Sequence, residues 1–264
     1  VVLKADGLAA GKGVIVAGDA AELAAALVTL FDERRFASAA DRVVVEEFLH
    51  GAEVSFIGLS DGERILPFAT ARDHKRLLDG DRGPNTGGMG AFSPSGLLSA
   101  EVAAKVLEDV MLRSIRGIAS EGRPFVGVLY AGLMLTADGP KVLEFNARFG
   151  DPEAQALFLR LEDDLLPILA AGAVGSFGVA RLHFRKEVSA VIVLASAGYP
   201  ERPAQGEPIT GLEAAAALPN VEIFHSGTAL ADGALVAVGG RVLSVGATGA
   251  TLAEALKSAY AAAY

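Results

Sequence analysis

The sequence predicts an α+β protein with a small β–α–β lobe at its start and a smaller α+β unit at its end. Strand-like apolar runs alternate along its 264 residues with segments whose apolar residues recur at helical spacing. The composition, with 52% hydrophobic and 21% charged residues, is typical of a folded globular chain rather than a disordered one.

In the predicted lobe, residues 1–60, strands at 1–5 and 14–17 flank a glycine-rich hairpin tip. Asp19 and Glu22 have capping-box spacing and begin a helix, which strands at 42–49 and 53–59 follow. The chain starts within an apolar strand and without Met, so we expect it to be part of a longer protein.

The middle of the chain contains a predicted strand at 64–68 and a long loop at 70–96 that is dense in Gly, Pro, Asn and Asp. A helix with apolar positions between 102 and 118 follows, and then strands at 125–135 and 141–145. Asp151 is the expected N-cap of the next helix, with Pro152 at its first position.

In the final unit, a glycine-containing segment at 172–179 precedes a continuous apolar run at 188–195, which predicts a buried strand. Short strands at 221–224, 235–238 and 241–245 and a closing helix at 252–260 complete the chain.

The composition also excludes several functions. With a net charge of -9, the chain lacks the excess of basic residues expected of a nucleic-acid-binding protein. The absence of cysteine removes disulfides, thiol catalysis and thiolate metal sites, and it fits a reducing compartment. No uncharged stretch reaches the roughly 18 apolar residues that a membrane-spanning helix needs. We therefore expect a cytoplasmic protein without membrane or nucleic-acid partners.

Two segments have residues suited to a nucleotide. Between Lys4 and Gly13, glycines let backbone N–H groups approach phosphate oxygens and lysines neutralise them, although the spacing does not match a P-loop. The segment Val43–Glu53 offers a strand edge for adenine, with Glu53 for the ribose hydroxyls. The alternatives are a flexible hairpin tip and solvated glutamates.

Two further segments suggest a metal and an anionic substrate. Glu144, Asn146 and Arg148 alternate along a strand and should share one face, with Leu143 and Phe145 towards the core. A carboxylate and an amide oxygen suit Mg²⁺. The run from Ala71 to Arg76 places cations before a glycine-rich loop at 83–90. The alternatives are the polar face of an edge strand and a solvated, mobile loop.

Together these segments resemble the ATP-grasp superfamily, and within it the phosphoribosylamine–glycine ligases. The resemblance spans almost the whole chain and is most specific in the runs GPNTGGMGAFSP and EFNARFGDPE. It implies a lid at 1–60, a larger antiparallel-sheet lobe with the metal and substrate site at 61–180, and a C-terminal α+β domain at 181–264. It also implies that the family's amino-terminal domain is absent.

The resemblance implies ATP and Mg²⁺, or alternatively Mn²⁺, as cofactors. Residues expected at the nucleotide are Lys4 and Lys12 at the phosphates, Gly11 and Gly13 in the lid loop, Glu46, Phe48 and Leu49 at adenine, and Glu53 at the ribose. Glu144 and Asn146 are the expected metal ligands. Residues expected around the acyl phosphate and its acceptor are Arg148, Asp151, Asp73, Lys75 and Asn85.

The implied reaction is ATP-dependent ligation of glycine to 5-phosphoribosylamine through glycyl phosphate, in purine synthesis. Phosphorylation gives the carboxylate a good leaving group, and lid closure keeps water away from the intermediate. The alternatives are an ATP-grasp ligase for another carboxylate and amine, a nucleotide-binding fragment without ligase activity, and a purely structural protein. The sequence predicts no oligomeric state.

Overall fold

A computed structural model describes residues 1–9 and 13–264 of the chain. Two expected lid residues, Gly11 and Lys12, lie outside the described residues. The chain divides into two compact units, Val1–Gly51 and Ala52–Tyr264. The domain limits expected from the sequence, at residues 60 and 180, remain a prediction.

The first unit is a three-stranded antiparallel sheet covered by helical segments. The elements of this unit are β1 (Val2–Ala5), β2 (Val14–Val16), α1 (Ala20–Leu27), a π-helical turn (Val28–Asp32), a 3₁₀ turn (Ala37–Ala40) and β3 (Val43–Glu46). The sheet order is β2-β1-β3.

The predicted cap of the first helix is confirmed: the Asp19 carboxylate accepts the Glu22 N–H at 2.8 Å, and the Glu22 carboxylate accepts the Gly18 N–H. The helix and the π-helical turn after it pack on the sheet, and Leu3 of β1 and Leu30 of the turn are almost completely buried.

Strands and helices of the second unit are more numerous. Its first half contains β4 (Ala52–Asp61), β5 (Ile65–Pro67), β6 (Arg72–Asp73), β7 (Arg76–Leu78), β8 (Arg82–Asn85), β9 (Gly90–Ser93), α2 (Ala100–Lys105), α3 (Arg113–Ser120), β10 (Val126–Thr136) and β11 (Gly139–Asn146). A π-helical segment, Val106–Leu112, joins α2 to α3.

Its second half contains α4 (Glu153–Phe158), α5 (Leu165–Ala173), β12 (Val188–Ala195), α6 (Leu212–Ala216), β13 (Val221–His225), β14 (Thr228–Ala231), β15 (Ala234–Ala237), β16 (Arg241–Gly249) and α7 (Leu252–Ala263). None of the helices within the described ranges is both long and apolar enough to cross a membrane.

Two antiparallel sheets organise the second unit. The first has the order β11-β10-β4-β5 and packs against the α2–α3 segment through a core that includes Met111, Ile115 and Leu133. The second has the order β13-β16-β12-β9-β6, so the short strands β6 and β9 extend a sheet built mainly from the last third of the chain. The separate hairpins are β7–β8 and β14–β15.

Two expectations about local structure are wrong. The predicted loop at 70–96 contains the four short strands β6 to β9, which have only two to four residues each and are therefore too short to show an alternating apolar pattern. Asp151 does not cap α4: the N-cap is Pro152, without a side-chain hydrogen bond, and the Asp151 carboxylate is held by other side chains.

A third expectation, that Phe145 faces the core, is also wrong, because 45% of its surface is exposed. The strand β11 lies at the edge of its sheet, so the side chain has no covering neighbour on one flank. It lines a surface groove together with Ile118, Phe125 and Leu129.

We predict that Leu133→Ala destabilises the protein by about 2–5 kcal/mol, because this side chain is fully buried and its removal leaves a cavity. Chemical denaturation measures the free energy of unfolding. Leu230→Ala, at a position that is 78% exposed, is the matched control and should change that free energy by less than about 0.5 kcal/mol. Equal effects of the two substitutions would contradict the assigned core.

Candidate functional site

One face of the first unit's sheet combines an ion pair with valine side chains. The strand register pairs Val2 with Glu46 and Lys4 with Val44, so these four residues share a face. Lys4 Nζ lies 2.7 Å from Glu46 Oε2, and Val44 is 45% exposed beside them. The valine side chains of this face can contact a flat ring, and the Lys4 ammonium and the Glu46 carboxylate lie beside them.

The other expected lid residues lie at the ends of these strands. Because β3 ends at Glu46, Phe48 and Leu49 follow the strand rather than extending it. Phe48 is 45% exposed and meets the His50 ring edge-on, with 4.7 Å between the ring centroids. The Gly13 carbonyl accepts the Ala5 N–H at 2.8 Å, which closes the described part of the hairpin.

In the second unit, Lys75 lies among carboxylates. Its Nζ is 3.0 Å from Glu53 Oε2, with a hydrogen bond, and 3.9 Å from Asp73 Oδ2. Burial alone would lower the pKa of the Lys75 ammonium, but attraction to Asp73, Glu53 and Glu144 outweighs it and raises that pKa. Lys75 therefore remains a fixed positive charge.

Asp73 is the most deeply buried carboxylate in contact with Lys75, since only 7% of its side chain is exposed. Burial, followed by the charges of the neighbouring Glu153 and Glu53, raises the pKa of Asp73 to about 6, although the Lys75 ammonium opposes the rise. Asp73 can therefore gain or lose a proton close to neutral pH.

The expected metal ligands lie side by side at the end of β11. Asn146 Nδ2 donates to Glu144 Oε1 at 3.2 Å, and the register places Asn146 opposite Tyr130 and Glu144 opposite Gly132. Carboxylate and amide oxygens are the donors that Mg²⁺ prefers, so this pair fits the ion. Among the described residues, no group of three or more His, Cys, Asp or Glu side chains could hold a metal. Further ligands would then be water or phosphate oxygens.

A buried trio beside Asp73 was not anticipated from the sequence. Tyr130 donates its hydroxyl hydrogen to Glu153 Oε1 at 2.7 Å, and Ser55 donates to the same oxygen at 3.2 Å. Burial, followed by the charges of Glu153 and Asp73, raises the pKa of Tyr130, which keeps its hydroxyl protonated. Ser55 and Tyr130 lie on the neighbouring strands β4 and β10, and only the strand register brings them together.

The remaining expected site residues make contacts outside this cluster. Arg148 follows the end of β11 and donates to the Phe149 carbonyl at 2.9 Å, and Asn85 ends β8 opposite Arg76. Within residues 1–9 and 13–264, neither forms a hydrogen bond or ion pair with the Lys75 cluster. Asp151 pairs with Arg241 at 3.0 Å and accepts from Gln155 at 2.8 Å.

Family models match both ends of the chain. Residues 1–154 match the model described as phosphoribosylglycinamide synthetase, ATP-grasp (A) domain, and residues 189–264 match the C domain of the same family. A relative from Mesorhizobium japonicum, a phosphoribosylamine–glycine ligase, is 52% identical over 262 residues. The match covers 99% of this chain and 61% of that relative, so the chain spans about three fifths of its length.

Solved structures agree with this match. The crystal structure of phosphoribosylamine–glycine ligase from Thermotoga maritima has a TM-score of 0.84 and 35% identity, covering 99% of this chain and 64% of that one. N5-carboxyaminoimidazole ribonucleotide synthetase from Thermotoga maritima has a TM-score of 0.65 at 14% identity, covering 99% of this chain and 60% of that one. The second likeness concerns the fold alone.

We predict that Asp73→Asn stabilises the protein at pH 7.5 and has little effect at pH 4. The folded-state pKa of Asp73, about 6, lies above its ordinary value of 3.8, so the folded state holds the proton more tightly. The stability contributed by protonated Asp73 is complete below pH 3.8 and is lost as the pH rises through 6.

Chemical denaturation of both proteins at the two pH values checks this prediction. The difference between variant and wild type should grow by on the order of 2 kcal/mol from pH 4 to pH 7.5. Asp138→Asn, in an exposed turn, is the control and should give the same difference at both pH values. A pH-independent effect of Asp73→Asn would contradict the buried, raised-pKa carboxyl.

Proposed function

The chain belongs to the phosphoribosylglycinamide synthetase family, and on that basis we propose that it takes part in ATP-dependent ligation of glycine to 5-phosphoribosylamine. The family and the α+β ATP-grasp fold predicted from the sequence are confirmed. As a class, ATP-grasp enzymes use ATP with divalent metal ions and act on small molecules. The relatives named phosphoribosylamine–glycine ligase support glycine and 5-phosphoribosylamine as the substrates.

The observation that carries the proposal is the fixed ammonium of Lys75 within electrostatic range of Glu144, whose carboxylate is hydrogen-bonded to Asn146. A phosphoryl group that passes from ATP to a carboxylate carries several negative charges and needs positive charge around it. The cluster supplies a permanent cation beside oxygen donors for a divalent ion. Catalysis by positioning and charge neutralisation requires no protein nucleophile.

In the proposed reaction, the glycine carboxylate attacks the γ-phosphorus of ATP, and glycyl phosphate and ADP form. The amine of phosphoribosylamine then attacks the glycyl carbonyl, and inorganic phosphate leaves with the carbon–oxygen electron pair. Lys75 neutralises phosphate oxygens in both steps. Asp73, with a pKa of about 6, can hold the proton that the attacking nitrogen releases.

Glu144 and Asn146 would hold Mg²⁺, or Mn²⁺, which would stabilise charge on the phosphate oxygens when bound. The residues proposed at the nucleotide are Lys4, Lys12, Gly11, Gly13, Glu46, Phe48, Leu49 and Glu53. The Glu53 carboxylate would have two partners, the Lys75 ammonium with which it forms an ion pair and a ribose hydroxyl.

Arg148, Asp151 and Asn85 stay proposals for the acyl-acceptor side. The cytoplasmic location also stays a prediction.

A second candidate is carboxylate activation without completed ligation. The chain spans 61% of the length of its relatives, and residues outside this span can contribute to binding of the amine substrate. A trapping assay addresses the first half of the reaction by itself. Hydroxylamine attacks acyl phosphates, so glycyl phosphate would give glycine hydroxamate without phosphoribosylamine.

We predict that the protein with ATP, Mg²⁺, glycine and hydroxylamine forms glycine hydroxamate, and that Glu144→Gln lowers the rate about 100-fold or more through loss of the metal-holding charge. The hydroxamate is measured by its iron(III) complex. Glu222→Gln, on the exposed side of β13, is the matched control and should leave the rate unchanged.

Three outcomes of this assay are decisive. Hydroxamate from another amino acid in preference to glycine would indicate a different ATP-grasp ligase. Glycine hydroxamate in this assay, with no ligated product in a parallel reaction that contains phosphoribosylamine in place of hydroxylamine, would favour the second candidate. Unchanged turnover in Glu144→Gln would remove this residue from the metal site.

A further inference from the structure

Arg241, the first residue of β16, contacts both segments that carry the family resemblance most specifically. Its Nη1 donates to the carbonyl oxygens of Gly87, Gly88 and Asp151 at 2.8, 3.3 and 2.6 Å. Its Nη2 donates to Asp151 Oδ2 at 3.0 Å, and only 22% of the side chain is exposed. A planar guanidinium with several donors can hold this many acceptors at once, which an ammonium cannot do in the same geometry.

Tyr199 contacts the same glycines from another direction. Its hydroxyl oxygen accepts the Gly87 N–H at 3.0 Å. The ring lies flush against Gly240, where an added Cβ would be 2.4 Å from a ring carbon. Gly87 is therefore held at its N–H by Tyr199 and at its C=O by Arg241, and both side chains come from the last third of the chain.

The two glycines are the residues that allow this close approach. An added Cβ at Gly87 would lie 2.9 Å from Cζ of Arg241, and one at Gly88 would lie 2.7 Å from Cδ of Pro152. Gly88 also has a φ of +112°, which L side chains rarely adopt. Because residues 87 and 88 have no side chain, the Arg241 guanidinium and the Asp151–Pro152 segment can contact the loop backbone directly.

The held loop in turn fixes Lys75. Thr86, the residue before the two glycines, donates both its backbone N–H and its hydroxyl to the Lys75 carbonyl, at 2.7 and 2.8 Å. The Gly88 N–H donates to the Thr86 hydroxyl at 3.0 Å. A continuous series of hydrogen bonds therefore runs from Arg241 through the loop to the backbone of the proposed catalytic lysine.

On its other side, Arg241 holds the segment that leads into the buried trio. Asp151 is bound through its carbonyl and its carboxylate, and Glu153 follows two residues later. Glu153 accepts from Tyr130 and Ser55 and raises the pKa of Asp73. The guanidinium is thus a shared anchor for the segments that carry Lys75 and Glu153.

We propose that Arg241, assisted by Tyr199, is a positioning residue that holds the glycine-rich loop against Asp151 and so sets the place of Lys75 in the active site. This rests on the proposed function, because the site in question is the one that activates glycine. Arg241 acts through Gly87 and Gly88. The proposal gives the C-terminal region, matched separately by the C domain of the family, a defined part in the chemistry of the ATP-grasp region.

The test compares Arg241→Met, Arg241→Lys and Tyr199→Phe with the control Arg202→Met, an exposed arginine of the same region. Three quantities are measured: hydrogen–deuterium exchange of the 83–90 loop, the dissociation constant for Mg–ATP, and the rate of glycine hydroxamate formation. Thermal unfolding of each variant shows whether it is folded. Tyr199→Phe keeps the ring packing on Gly240 and so provides a mild second variant.

We expect Arg241→Met to speed exchange in the loop and to lower kcat for glycine hydroxamate about tenfold or more, because misplacement of a catalytic group is costly. The Mg–ATP dissociation constant should stay within about twofold, since Glu144 and Asn146 do not contact Arg241 in the described structure. Arg241→Lys should resemble Arg241→Met, Tyr199→Phe should show a smaller loss of kcat, and Arg202→Met none.

The proposal is overturned if loop exchange and kcat in a folded Arg241→Met match the wild type. It is also overturned if Mg–ATP affinity and kcat fall together in Arg241→Met and in Tyr199→Phe, which would indicate a general structural role. The proposed function fails in a different way, namely when the wild-type protein itself forms no glycine hydroxamate.

Discussion

The half-buried ammonium of Lys75 among carboxylates is the constraint on which the rest of the site depends. Glu53 and Asp73 lie within 3.9 Å of its Nζ, and the negative charge of Glu144 also acts on the ammonium. The single ammonium faces three carboxylates. Burial, with the charges of Glu153 and Glu53, raises the pKa of Asp73 to about 6, although the Lys75 ammonium opposes the rise. Such a cluster gains most from a ligand that brings further positive charge, as a divalent ion does. This is a physical reason for the divalent ion proposed beside Glu144 and Asn146.

The sequence identified the residues around Lys75 as site candidates but not the buried trio of Ser55, Tyr130 and Glu153. Glu144 and Asn146 are two residues apart on one strand, so alternation alone predicts their shared face, and Lys75 and Asp73 stand out as charges beside a glycine-rich loop. Tyr130 and Ser55 read as ordinary strand residues. Their hydrogen bonds to Glu153 arise from the pairing of β4 with β10 and from the packing of α4, neither of which has a local pattern.

Elements of the fold were predictable where burial produces a regular pattern. The apolar run at 188–195 is β12 as expected, and the Asp19 cap begins α1 as expected. The failures occur where a neighbour further along the chain decides the outcome. Phe145 is exposed because β11 has a partner on one side only, and Asp151 is bound by Arg241 instead of capping its helix. Contacts between residues 90 apart lie beyond what local periodicity can indicate.

The hydrogen bonding of the second unit also links its C-terminal region to the segments that carry Asp73 and Lys75. The strands β6 and β9 come from the part of the chain that matches the ATP-grasp model, yet β6 pairs with β9 and β9 pairs with β12 in the sheet that contains β16. Asp73 is the last residue of β6, and Arg241 is the first residue of β16. Since a sheet transmits backbone position through its ladder, displacement of the C-terminal strands would move Asp73 and the loop after it. The two regions match separate domain models of one family but form one hydrogen-bonded framework around the proposed acyl phosphate.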